Sequence, residues 1–340
     1  MTTDVGITTP PVAEGSRVPR WLRGIFIANL VAQIGIVVTG GIVRLTGSGL
    51  GCPTWPECVE GSFVPTSRQE ESWHKMVEFG NRLLTFVLAA LAIAAILGAL
   101  AWWRRRRRAG LPARGPVVAL AAIPIVGTVV QAVLGGVTVL TGLNPWAVSA
   151  HFLISMVIIA GCVLLVVRSG EPGDQPVRTL VRTEVRIFAW VLVIVTGIVV
   201  VLGVIVTGSG PHSGDANVAS RLPVDARTFS ALHADAVLLF LGLTVGLLVV
   251  LRVIHAPARA QALTLSLLIV SLLQGAIGYA QYFTGLPWVL VAIHMLGACL
   301  VWVLAIFIAL SMRTRGTWTH EPPVSPGGSI ATRGSGQSAH

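Results

Sequence analysis

The chain has 340 residues, 54% hydrophobic and 11% charged, with a net charge of +10 and a mean hydropathy of +0.80. An ordinary soluble domain carries roughly 25% charged residues, so this composition excludes a water-soluble core, a disordered chain and, despite the basic balance, a nucleic-acid-binding domain. It is that of a polytopic helical membrane protein.

A membrane span takes about 20 consecutive apolar residues. Residues 24–43 supply the first, after a segment (1–23) that lacks the apolar core of a cleavable signal. Residues 76–103 supply the second, and six arginines between Arg104 and Arg114 follow it directly. The next 53 positions, 115–167, hold no Asp, Glu, Lys or Arg. That is too long for one crossing, and Gly142-Leu143-Asn144-Pro145 divides it into a third and a fourth. Residues 187–208 and 229–251 give the fifth and sixth. Residues 260–312 are again 53 uncharged positions, divided at Thr284-Gly285-Leu286-Pro287 into the seventh and eighth. The prediction is an all-α polytopic membrane protein with eight transmembrane helices. The tail, 313–340, is rich in Gly, Ser, Thr and Pro and is expected to be disordered.

Alternate loops carry the basic residues: Arg104 to Arg114, then Arg168, Arg178, Arg182 and Arg186, then Arg252 and Arg259. The bias of basic loops toward the cytoplasm places these, the linker 169–186 and both termini inside. The arginine run is therefore a topological signal, with contact to anionic lipid as an addition. Glu57, Glu60, Glu70, Glu71, Asp215 and Asp225 fall on the outer side.

The sequence also repeats. Gln131-x3-Gly135, Thr141-Gly142-Leu143 and His151 recur 143 positions later as Gln274-x3-Gly278, Thr284-Gly285-Leu286 and His294. Thr46-Gly47-Ser48-Gly49 recurs as Thr207-Gly208-Ser209-Gly210 after the fifth span. Two pseudo-symmetric four-helix halves, 24–168 and 187–312, follow, related by an axis along the membrane normal.

Of four cysteines, Cys52 and Cys58 share the first external loop (44–73). There they form either a disulfide staple or a redox-active pair. Their spacing fits neither a C-x-x-C haem attachment nor a zinc site. Cys162 and Cys299 lie within spans and read as small apolar residues. Of eight histidines, His151, His233 and His294 stand at one depth near the external ends of the fourth, sixth and eighth spans. A single such histidine reads as a packing residue. Three at one depth, two of them related by the repeat, point to function. Axial ligation of haem between facing helices suits imidazoles in apolar surroundings, with Gly135, Gly136, Gly275 and Gly278 leaving room for a flat macrocycle. His233 and His294 form the natural bis-histidine b-type site. Opposite His151 stands Asn81. Glu78 and Arg82, four residues apart at membrane depth, read either as an ion pair or as an acid/base and a propionate clamp. His74, two turns before Asn81, is either a boundary histidine or a group that turns toward this site. His212 reads as a loop residue.

Together, the loop from Thr46-Gly47-Ser48-Gly49 through Cys52, Trp55 and Cys58, the Glu78-x-x-Asn81-Arg82 segment and the histidines at 151, 233 and 294 resemble the haem A synthase family, over residues 20–312. The resemblance implies a bacterial plasma-membrane enzyme with its haem sites toward the outer face. It implies haem b on His233 and His294, and haem O received in the N-terminal half, where its C8 methyl is oxidised to a formyl group with oxygen from water. It implies Glu78 as catalytic and a substrate haem on His151, around which the residue reading places Arg82, Asn81 and His74. Cys52 and Cys58 are then stabilising or electron-transferring. Implied partners are haem O, a haem O synthase, an electron acceptor and the bilayer, with no nucleic acid; the oligomeric state stays open. The sequence departs from the family in two places. Many members have histidine where Asn81 stands, so the substrate iron is either five-coordinate through His151 or completed by His74. The later external loop, 208–228, has no cysteine pair. A non-catalytic membrane cytochrome b using the same histidines is the alternative. A transporter is disfavoured, because the spans lack scattered charges.

Overall fold

Each apolar block becomes a helix, the form that satisfies every backbone polar group internally in lipid. A computed structural model describes residues 17–66, 73–212, 214–215 and 220–315. Glu70, Glu71, most of the segment before α1, part of the 208–228 loop and the tail beyond Arg315, with His320 and His340, lie outside the described residues. The elements are α1 (Arg20–Leu45), α2 (His74–Arg108), α3 (Gly115–Leu140), α4 (Pro145–Gly170), β1 (Arg178–Thr179), α5 (Thr183–Ser209), α6 (Ala226–Val253), α7 (Ala258–Phe283), α8 (Trp288–Ser311) and β2 (Arg313–Thr314). All eight helices are long and apolar enough to cross a membrane. Most overrun the uncharged stretch that predicts them, because their ends continue into the interfacial layers. α2 runs through the arginine cluster, where cations suit a helix C-terminus. Arg106 and Arg107 lie over the rings of Trp102 and Trp103 at 5.3 and 5.0 Å.

The repeated Thr-Gly-Leu sequence makes the same turn twice. Gly142 and Gly285 take φ of 62° and 77°, and Leu143 and Leu286 both take φ of 60°. The Leu143 N–H returns to the Thr138 carbonyl at 2.8 Å, and that of Leu286 to Gln281 at 2.7 Å. This is the bonding of a Schellman helix ending, where glycine tolerates the left-handed backbone. The side chain of Asn144 then accepts the Trp146 N–H at 3.0 Å and, with Pro145, starts α4.

The helices close into two rings, α1–α2–α3–α4 and α5–α6–α7–α8, which meet along α4 and α8. α1 also touches α8, and α4 touches α5, so exchanging one ring for the other reproduces the pattern. α4 and α8 carry the longest runs of buried residues, including Cys162 and Cys299. The indole N–H of Trp302 on α8 donates to the Met156 carbonyl of α4 at 2.9 Å.

The two ends of the bundle are chemically distinct. At one end Arg114, 2% exposed, donates to the carbonyls of Glu171 and Arg168 at 2.7 and 2.9 Å and pairs with Asp174 at 3.3 Å. Burial pulls the pKa of its guanidinium below the usual value, while its hydrogen bond to Asp174 opposes that shift. Arg168 pairs with both Glu171 and Asp174. β1 and β2 pair antiparallel here, and Arg315 donates to the Gln175 carbonyl at 2.8 Å. The first three residues of the stretch expected to be disordered are thus held by the linker, because its strand offers them backbone partners. At the opposite end Arg44 reaches from α1 to the carbonyls of His212 and Thr207 at 2.9 and 3.2 Å. Gly49 N–H meets the Gly214 carbonyl at 2.8 Å, and Leu143 packs against both glycines.

Candidate functional site

Cys52 and Cys58 are joined in a disulfide. The loop it closes rests on the start of α2. Glu78 and Arg82 are one helical turn apart, and the Arg82 Nη2 to Glu78 Oε1 distance is 2.6 Å. The remaining donors of Arg82 turn outward to the loop: Nη2 to the Cys52 carbonyl at 2.7 Å, and Nη1 to the Thr54 and Glu57 carbonyls, both at 3.1 Å. The second carboxylate oxygen of Glu78 accepts the Cys52 backbone N–H at 2.7 Å. Glu78 is buried, which makes each of these charge-assisted bonds stronger than its solvent-exposed equivalent. The ion pair, one of the two readings of the spacing, therefore forms. The fork of Arg82 is engaged by three loop carbonyls, which argues against its use as a propionate clamp.

The same loop crosses to α3. A Cβ added at Gly136 would stand 2.5 Å from the Trp55 ring, so the indole lies directly on the helix backbone. Gly136 thus serves the loop, whereas Gly275 faces open space. His74 belongs to this layer too. Its Nδ1 is 2.8 Å from Ser48 Oγ and its ring stacks on Trp73 at 4.0 Å.

Below the loop, four side chains occupy equivalent stations. Asn81 and His233 are each the eighth residue of α2 and α6, and His151 and His294 each the seventh of α4 and α8. Each faces a glycine on the preceding helix. Measured from where a Cβ would stand, Gly135 is 3.6 Å from His151 Cε1 and Gly278 is 3.6 Å from His294 Cε1. Gly203 is 3.2 Å from His233 Cε1, and Gly40 is 3.8 Å from Asn81 Nδ2. α2 and α4 stand diagonally across one ring, and α6 and α8 across the other.

Each of the three imidazoles has a buried Nδ1 without a well-formed hydrogen bond, although backbone groups of Val199 and Gln274 stand close to the His233 and His294 rings. Buried polar atoms are almost always paired, and an unpaired one costs about 1–3 kcal/mol. Imidazoles with spare nitrogens, set in apolar walls and backed by glycine, fit the axial ligation of haem. Among the described residues no three His, Cys, Asp or Glu side chains gather as a metal cage. Haem asks for only one or two from the protein.

Other residues build the site without having been assigned a role there from the sequence. The Gln131 amide N–H group donates to the His151 carbonyl at 2.9 Å and to Ser155 Oγ at 2.5 Å, fixing α3 to α4 beside His151. Its place in the repeat was the available signal. Thr39 donates to Asn81 Oδ1 at 2.8 Å. Trp55 could have been found from its position between the two cysteines, and Arg44 as a lone charge just before Thr46-Gly47-Ser48-Gly49.

Residues 23–212 match the COX15-CtaA family, described as cytochrome oxidase assembly protein. The chain is 30% identical to a heme A synthase of Listeria welshimeri over 191 residues, 55% of this chain and 59% of that relative. It is 29% identical to one of Exiguobacterium sibiricum over 176 residues, 52% and 55% respectively. It is 32% identical to one of Lysinibacillus sphaericus over 148 residues, 43% and 44%. The chain thus spans between 44% and 59% of the length of these relatives.

Proposed function

The chain belongs to the cytochrome oxidase assembly protein family, and from that premise we propose that it is a haem A synthase of a bacterial plasma membrane. In this reading it oxidises the C8 methyl of haem O to a formyl group. The observation that carries the reading is the set of three glycine-backed imidazoles at matched stations, one ring holding a pair and the other a single histidine with Glu78 and Asn81 on its second helix. Both termini are cytoplasmic, by the arginine-rich end of the bundle, and the haem stations lie toward the outer face.

The division of labour follows the rings. Residues 187–312 hold haem b between His233 and His294, and when bound it supplies a one-electron carrier. Residues 24–168 receive haem O, with His151 as ligand to its iron. Conversion of the methyl with one water releases four electrons and four protons, the electrons passing to an acceptor outside this chain. Glu78 is the proton acceptor, a buried carboxylate at the head of the α1–α4 ring. Arg82 orients it and ties it to the loop. The disulfide loop, seated on α2 through Arg82 and on α3 through Trp55, caps the ring. A haem O synthase delivering the substrate is the expected partner.

The test is expression in a host that makes haem O but no haem A, with extracted pigments analysed by mass. Formyl haem is the expected product. A folded, haem-containing preparation without it refutes the enzyme and leaves an electron-relaying cytochrome b.

A further inference from the structure

We propose that Asn81 is a hydrogen-bond donor to a small axial ligand, diatomic or water-sized, at an open position on the haem held by His151. The inference rests on the haem placement proposed above. Asn81 occupies on α2 the station that His233 occupies on α6: the same residue count from the helix start, and a glycine of the preceding helix behind it. That is a ligand's position filled by a side chain that is a poor ligand. An amide nitrogen has no free lone pair, and the amide oxygen is already engaged. Thr39 Oγ1 lies 2.8 Å from Asn81 Oδ1 and 3.3 Å from the Ile36 carbonyl. With Thr39 donating to Asn81 Oδ1, the NH2 group is the free end of the amide.

His74 does not take the vacated role. It lies seven residues, about two turns, before Asn81, and it is occupied by Ser48 and Trp73. The shorter reach of asparagine compared with histidine leaves room for one small ligand, and the amide N–H groups are the donors that would meet it. The C-terminal ring, with histidine at both stations, has no such opening.

The full-length, haem-loaded protein in the ferrous state would be exposed to carbon monoxide and followed by infrared and optical spectroscopy. Carbon monoxide is expected to bind one of the two haems. In Asn81→Ala the C–O stretch should move to higher frequency and release should quicken about five- to tenfold, as for one lost hydrogen bond. Thr39→Val, which frees the amide to turn, should move the stretch the same way by less. Asn81→His should abolish binding and add a second low-spin bis-imidazole spectrum. An unchanged stretch and release rate in Asn81→Ala, with binding still lost in His151→Ala, overturns the donor role alone. A haem content and carbon monoxide binding indifferent to His151→Ala overturn the haem placement and the donor role with it.

Discussion

The Cys52 backbone N–H donates to Glu78 Oε2 at 2.7 Å, so the first cysteine of the external loop and the carboxylate of α2 hold one another in place. Because Arg82 binds the other carboxylate oxygen and three loop carbonyls, loop, acid and base form one unit.

Replacing Glu78 tests its chemical part in that unit. Glu78→Gln keeps an acceptor for the Cys52 N–H but removes the charge opposite Arg82. Formyl haem production should fall by at least about a hundredfold, the low end for a lost general base. The b-type spectrum should persist, since the proposed ligands, His233 and His294, lie in the other ring. Disappearance of that spectrum would show Glu78 to be a structural residue for the whole bundle.

Opening the disulfide separates the two readings of the cysteines. Cys52→Ser releases a closed loop of seven residues, worth about 2 kcal/mol by the chain-entropy estimate, and should lower the thermal midpoint in detergent along with turnover. Turnover lost at an unchanged midpoint would instead mark the pair as an electron carrier.

The contact of Trp55 with Gly136 predicts strong non-additivity. Gly136→Ala should dislodge the loop and depress activity, because a Cβ there meets the indole at 2.5 Å. In a Trp55→Ala background the same change should be nearly silent. Two additive effects in the double-mutant cycle would refute the seat.

For haem b, His294→Ala and His233→Ala should each abolish the bis-imidazole spectrum, while His151→Ala leaves it intact. A low-spin spectrum surviving either of the first two would sink the assignment.

At the arginine-rich end, Arg114→Ala strips a buried cation from three carbonyls and from Asp174. A cost of about 3 kcal/mol in reversible detergent unfolding is expected, the range for breaking a buried pair from one side. Haem spectra should not change. An unaltered unfolding midpoint would show that the cluster contributes nothing net.

The helices and their order were legible in the sequence, since two 53-residue uncharged blocks with a central Gly and Pro leave few alternatives. The three histidines were legible because polar groups at one depth stand out against apolar runs. Arg82's use of the Cys52, Thr54 and Glu57 carbonyls was not, since backbone acceptors carry no mark in a sequence. Nor was the orientation of Asn81, which depends on Thr39 from another helix, 42 positions away. The pairing of residues 313–314 with 178–179 was hidden for a similar reason: two-residue strands have no periodicity to read.

The left-handed leucines have a metrical consequence. Eight residues lead from Leu143 to His151, and eight from Leu286 to His294. The height and compass bearing of each imidazole are therefore set by a rigid backbone corner and a fixed length of helix, acting as a ruler, and owe nothing to where the lipid boundary falls. One residue inserted into either ruler would swing its histidine by about 100°, away from the glycine that receives it.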